Sequence, residues 1–375
     1  MSDTQILNKY GYPVETHSIE TEDGYLLEVY RIPYGRRITD KRRKNNPVIV
    51  THGLLGSAEN LILVGPNKSL AYMLADNGYD VWLSNTRGNW HSRKHKTLNP
   101  DQDQQYWQFS FNEIGIYDLP ATIDYILNKT DSNQLHYVGL SQGASAFFAM
   151  CSERPEYNKR ITVMAALAPV AILKHFRNPF IRIISPFYRF LERLADEAHL
   201  NELPPFISSR NIQAINKALC GRGNLLPFEI CRILLSILFE DKEMDKPRNV
   251  INLALSNFPA GASAKQVLHY AQIIEKGKFQ KYDWGPKENI RRYNSKIPPE
   301  YNLKNITAPV ALFYGEADSV ATKEDVEILA KLLPNVVEMY KVPSKNWNHL
   351  DFVWGKNIDI LLNNKVIDVI TRYNK

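Results

Sequence analysis

The sequence predicts a doubly wound α/β domain, a mostly parallel sheet wrapped by helices, split by a helical cap insertion. Two patterns and one size argument lead there. From Pro47 onward, short apolar runs alternate with longer amphipathic ones, the rhythm of parallel strands and their crossover helices. That rhythm stops at Val170 and resumes only near Lys304. The 375 residues, 44% hydrophobic and 23% charged, allow two domains or one large domain with an insertion, of which the break at Val170 selects the second, and exclude a disordered, collagenous or coiled-coil chain. The expected division is 1–169 for the first part of the core, 170–304 for the cap and lid, and 305–375 for the second part of the core.

The opening residues MSDTQILNKYGYPVETHS have neither a basic n-region nor an apolar h-region, so no secretory signal is expected in the sequence as written. His17 to Pro33 reads as a hairpin whose strands meet at Asp23-Gly24, a favoured two-residue turn. The basic run Lys41-Arg42-Arg43-Lys44 is read as a solvated loop rather than an anionic-surface patch. PVIVTHG and YDVWLSN are strands, with SLAYMLADNGY a helix between them ending near Gly78. The helix IYDLPATIDYILNK, the strand LHYVGL, the helix GASAFFAMCSERP and the strand TVMAALAPV follow. The insertion of about 130 residues holds apolar-basic segments broken by Pro and far exceeds an ordinary connection, which suggests function. Afterwards come the strand APVALFYG, a helix from Thr322 to Leu333, the strand VVEMYKV and a helix from Asn357 to Tyr373.

A formal net charge of +6 on a chain this long makes no electrostatic case for nucleic acid as the main partner. Cys151, Cys220 and Cys231 lack CxxC spacing, which argues against a structural zinc and allows at most one bridge and one free thiol. Val170 to Leu191 is the most apolar long stretch, but Lys174, His175, Arg177, Arg182 and Arg189 interrupt it, so no transmembrane anchor is expected.

The sharpest chemical signal is Gly139-Leu140-Ser141-Gln142-Gly143. A lone G-x-S-x-G is weak, yet this one leaves a strand and opens a helix rich in Ala and Ser, as a nucleophile elbow requires. Gly139 and Gly143 are the tiny neighbours that such a strained turn demands. A serine hydroxyl becomes a nucleophile only when a base takes its proton, so an acid and a histidine should follow it in the chain. Asp318 lies on the loop after APVALFYG, with Glu316 its competitor, and His349 lies on the loop after VVEMYKV. His17, His91, His95, His136, His175, His199 and His269 are read as surface or packing residues. The oxyanion of a tetrahedral intermediate needs two N–H donors: one expected from Gln142, the other from Leu54 in the loop Thr51 to Gly56.

With those residues in place, HGLLGSAEN, DNGYDVWLSNTRGN, GIYDLPATIDYIL, GLSQGAS, NFPAGASAKQVLHYAQ and WNHLDFVWG resemble the acid lipase family, the gastric and lysosomal lipases and their insect relatives. The likeness runs from Tyr10 to Tyr373. It implies an α/β-hydrolase core with a cap and lid, hydrolysis of triacylglycerols, steryl esters or similar lipid esters, and no cofactor or metal. It assigns Ser141 as nucleophile, Asp318 as acid, His349 as base, and Leu54 with Gln142 as oxyanion donors. It further implies a secreted or lysosomal protein and pairs Cys220 with Cys231, a bridge worth roughly 3 kcal/mol or less.

The chain departs from the family at Leu140, where relatives carry His, and near Ile237, where a third cap cysteine is replaced by an apolar residue. Cys151 is expected to be a small buried hydrophobe behind Ser141. The sequons at Asn67, Asn128 and Asn305 permit glycosylation. The apolar-basic stretches Val170 to Leu191 and Arg232 to Phe239 suit either a lid that meets a lipid–water interface or faces that pack on the core and shape the acyl pocket, and a monomer is expected. Two other functions fit the residues less well: an esterase for small soluble esters, and a silent lipid carrier that needs no triad.

Overall fold

The structure is a computed structural model that describes residues 3–36, 46–204, 254 and 257–374. Cys220, Cys231, Ile237, the stretch Arg232 to Phe239 and the basic run at 41–44 lie outside the described residues. A nine-stranded sheet organises the molecule. Its strands are β1 (Glu15–Glu20), β2 (Tyr25–Ile32), β3 (Val48–Thr51), β4 (Val81–Ser84), β5 (Lys94–His95), β6 (Leu135–Leu140), β7 (Ile161–Leu167), β10 (Val310–Tyr314) and β11 (Val336–Lys341), while β8 (Glu202–Leu203) and β9 (Ala262–Ser263) form a separate pair. The order is β1-β2-β4-β3-β6-β7-β10-β11, with β5 on β2. From β4 to β11 every neighbouring pair is parallel; β1, β2 and β5 join antiparallel.

The apolar runs explain the order. In β3, β4, β6 and β10 every residue is buried, because helices cover both faces of a parallel sheet and leave no polar alternation. The edge strands β1 and β11 are mostly half-buried or exposed. The helices expected between strands are present at Leu70–Asp76, Leu119–Thr130, Gln142–Glu153, Lys323–Leu332 and Asn364–Arg372. Among the described residues, no helix is long and apolar enough to cross a membrane.

The first hairpin differs from expectation. The Thr21 N–H donates to the Tyr25 carbonyl and the Tyr25 N–H to Thr21 Oγ1, so Glu22, Asp23 and Gly24 make a three-residue loop, with Gly24 at φ +93°. A tertiary contact accounts for the extra residue. The guanidinium of buried Arg87 holds both carboxylate oxygens of Asp23 at 2.6 and 2.8 Å, reaches Asp118 at 2.7 Å and lies 3.9 Å from the Tyr25 ring centroid. A fully desolvated cation needs such partners, and the turn bends to supply one.

Between β7 and β10 the described residues form the helices Pro179–Ile184, Tyr188–Glu197, Ala264–Lys276 and Pro286–Tyr293, together with the β8–β9 pair that periodicity did not reveal. Polar anchors join them. Asp283 accepts from Tyr188, Arg189 and Asn289, and the Lys265 ammonium lies 4.1 Å from the Trp284 ring centroid and 4.8 Å from that of Tyr282. Because β3, β6, β10 and β11 are parallel, the loops after them share one edge of the sheet, where open α/β folds place their sites.

Candidate active site

Ser141 stands between the last residue of β6 and the helix Gln142–Glu153 with φ +51° and ψ −112°, a backbone state that costs a non-glycine residue on the order of 1–3 kcal/mol. The flanking glycines are steric necessities. A Cβ at Gly139 would lie 2.8 Å from the Gly143 carbonyl carbon, and one at Gly143 would lie 2.6 Å from the Thr51 oxygen. The tight turn therefore presses the elbow against the end of β3.

The three side chains singled out by order and loop position form one hydrogen-bonded row. His349 Nε2 is 2.9 Å from Ser141 Oγ, and His349 Nδ1 is 2.9 Å from Asp318 Oδ2. The second carboxylate oxygen, Asp318 Oδ1, accepts the N–H groups of Val320 and Ala321 at 2.8 and 2.9 Å. Asp318 is fully buried and His349 nearly so. An acceptor-only carboxylate facing Nδ1 fixes the tautomer with the proton on Nδ1, leaving the Nε2 lone pair for the serine proton. Glu316, the competing acid, is exposed and pairs with Lys341 at 3.3 Å, away from the row.

Leu54 and Gln142 flank this row. The loop carrying Leu54 abuts the elbow, since a Cβ on Gly53 would lie 3.2 Å from Ser141 Cβ. Gln142 opens the nucleophile helix, where the first N–H groups have no partner within the helix. His52 supports the loop and was not singled out from sequence. Its Nδ1–H donates to the Gly53 carbonyl at 2.8 Å while its Nε2 accepts the Thr86 N–H at 3.2 Å. Burial lowers its pKa to about 4 and keeps the ring neutral, as both bonds require. The sequence showed only a His-Gly at a strand end; the bracing role depends on Thr86, a residue of another strand's loop.

The row opens into a cavity of about 380 Å³. Its walls include Leu54, Leu140, Leu173, Phe176, Ile181, Ile184, Leu191, Phe258 and Trp354, so apolar side chains from both the core and the inserted helices surround Ser141 and His349. Cys151 is buried on the nucleophile helix and burial pushes its thiol pKa well up, which leaves it inert. Asn67 and Asn128 are exposed, whereas Asn305 is half-buried and its amide donates to the Ser152 carbonyl at 3.0 Å.

A carboxylate, an imidazole and a strained serine at the carboxyl edge of this sheet define the class of the protein. Residues 46–356 match the family described as alpha/beta hydrolase fold, and residues 4–65 the partial alpha/beta-hydrolase lipase region. The naproxen esterase of Bacillus subtilis shares the fold, with a TM-score of 0.52 at 13% identity over 98% of this chain and 99% of that one. Within that fold the sequence is more specific. It is 37% identical to Lipase 1 of Drosophila melanogaster over 99% of this chain and 80% of that protein. It is 38% identical to human gastric triacylglycerol lipase over 100% and 92%, and 37% identical to human lysosomal acid lipase/cholesteryl ester hydrolase over 100% and 91%. The chain belongs to the acid lipase family of alpha/beta hydrolases.

Proposed function

We propose that this protein is a serine lipase that hydrolyses lipid carboxylic esters, of the triacylglycerol or steryl ester type, through an acyl-enzyme on Ser141. The observation that carries the proposal is the Ser141–His349–Asp318 row opening directly into an apolar cavity. As Ser141 Oγ attacks the ester carbonyl, His349 Nε2 takes its proton, and Asp318 stabilises the resulting imidazolium. The N–H groups of Leu54 and Gln142 receive the developing oxyanion, each donor being worth about 3–4 kcal/mol. Collapse of the tetrahedral intermediate expels the alcohol, which leaves with the proton from His349. Water then attacks the acyl carbon as His349 takes its proton, and collapse of this second intermediate breaks the bond to Ser141 Oγ, which regains the proton from His349 as the acid is released.

Residues 170–304 serve in this reading as cap and lid. Ile181, Ile184 and Leu191 face the cavity, while Ile183, Phe187, Phe190 and Leu194 are 44–69% exposed at spacings of four, three and four residues. Such a stripe beside Arg182 and Arg193 suits a lipid–water interface. The same reading pairs Cys220 with Cys231, places glycans at Asn67 and Asn128, and assigns a secreted or lysosomal compartment, as the gastric and lysosomal relatives suggest. The test is labelling with a serine-directed phosphonate, followed by assays of triacylglycerols, steryl esters and short dissolved esters. Ser141→Ala should abolish both label and turnover. Turnover surviving in that variant, or confined to short dissolved esters, would overturn the proposal.

A further inference from the structure

One continuous segment of the inserted region touches both halves of the oxyanion site proposed above. At its start, the Ala260 N–H donates to the Leu55 carbonyl at 2.7 Å, and the Ala260 carbonyl accepts the Trp90 N–H at 3.0 Å. Leu55 is the residue after Leu54 and holds a left-handed φ of +61°, a strained state that persists only where its surroundings enforce it. Six residues further on, Gln266 Nε2 donates to the side-chain oxygen of Gln142 at 3.1 Å. The Gln266 amide cannot turn without loss, because its own oxygen accepts the Ser263 N–H at 2.8 Å in the capping box that starts this helix. Both glutamines are 2% exposed, so their bond is made where water cannot replace it. One turn later, Tyr270 donates to Ser145 Oγ at 2.9 Å and ties the same two helices again.

We infer that Gln266 is a positioning residue for ester hydrolysis: with Ala260 it forms a strap that holds the Gln142 and Leu54 N–H groups in register with Ser141. The inference rests on the serine-lipase reading above. Gln266 does not meet the substrate. It acts through Gln142, whose backbone N–H keeps its aim because its side chain is anchored across the boundary with the cap. It follows that the helix Ala264–Lys276 stays in place as a wall of the site, so any lid opening belongs to other parts of the insertion.

Gln266→Leu tests the strap, with active sites counted by the end point of phosphonate labelling so that unfolded protein drops out. On p-nitrophenyl butyrate, kcat per labelled site should fall about ten-fold with little change in KM, the pattern of a misaimed transition-state contact. Affinity for a trifluoromethyl ketone, which places an oxyanion in the same hole, should fall by a similar factor. A purely structural role would lower the count of sites and leave both numbers unchanged. Gln142→Met, which keeps the N–H and removes the side-chain acceptor, should reproduce the loss, and the double variant should be no worse than either single one. Near-wild-type kcat and ketone affinity in Gln266→Leu, or losses that multiply in the double variant, overturn the inference. If Gln266→Leu yields no folded protein, Gln142→Met decides alone, an unchanged kcat counting against the strap. Ser141→Ala separates the two levels: inactive Ser141→Ala with an unaffected Gln266→Leu sinks the strap only, whereas active Ser141→Ala sinks the lipase reading beneath it.

Discussion

Replacing Asp318 by Asn changes one heavy atom and reverses a proton. In the wild type, Oδ1 accepts two backbone N–H groups and Oδ2 faces His349 Nδ1. An asparagine must keep its carbonyl oxygen toward the two N–H groups, since the alternative sets its NH2 against two donors. Its Nδ2 then points at His349 Nδ1 and can only donate. The imidazole is forced into the tautomer with the proton on Nε2, which faces Ser141 Oγ at 2.9 Å and has no lone pair to offer. Loss of the base together with loss of the carboxylate beside the imidazolium should lower kcat by about 10⁴-fold, or roughly 5–6 kcal/mol at 1.36 kcal/mol per decade. The assay is kcat per folded molecule on p-nitrophenyl butyrate, with the melting temperature as a folding control. The near-isosteric swap should leave KM close to wild type. A variant that melts normally and retains more than about a tenth of kcat would refute the tautomer argument. Glu316→Gln, at the exposed alternative acid, should be close to wild type.

Gly143→Ala drives a Cβ to 2.6 Å from the Thr51 oxygen, backbone against backbone; it should lower stability by about 1–3 kcal/mol in urea titration and depress kcat as the elbow moves from the Leu54 loop. An unchanged urea midpoint would remove the steric reason for that glycine. Burial holds His52 and His136 at pKa values of about 4, below their ordinary 6.5. From pH 6.5 down to 4 the unfolded chain therefore binds protons that the folded chain refuses, and each residue removes about 3 kcal/mol of stability across that window. His91 has the opposite sign: Glu28 and Glu59 raise its pKa despite burial, so its contribution is lost as pH rises. The melting temperature of His136→Asn should fall less between pH 7 and pH 4 than that of the wild type, and parallel curves would count against the argument. Phe187→Asp with Phe190→Asp removes two apolar anchors worth about 2 kcal/mol each at an interface; activity on emulsified triacylglycerol should fall at least ten-fold while hydrolysis of a dissolved short ester holds. Equal losses on both substrates would mean that the stripe packs rather than docks.

Some of this protein was legible residue by residue. The elbow was, because most of its requirements are local: a strand before, a helix after, and Gly139 where a Cβ would strike Gly143. The sheet strands were, because a strand buried on both faces is mostly apolar. Position after a strand brought Asp318 and His349 into consideration. Loop position and the family motif already favoured Asp318 over Glu316, and the fold supplies the physical reason: it buries one carboxylate against two N–H groups and leaves the other beside Lys341. The fold alone set the hydrogen-bond geometry between Ser141 and a histidine 208 residues away, gave His52 its brace, and set Gln266 on Gln142 across 124 residues. The first hairpin shows the same limit in miniature. Asp23-Gly24 favours a two-residue turn by itself, and Arg87, buried and distant in sequence, draws out a third. Periodicity and local sterics act within a few residues and can be read there, whereas hydrogen bonds between buried polar groups depend on which strands and helices the folded sheet brings together.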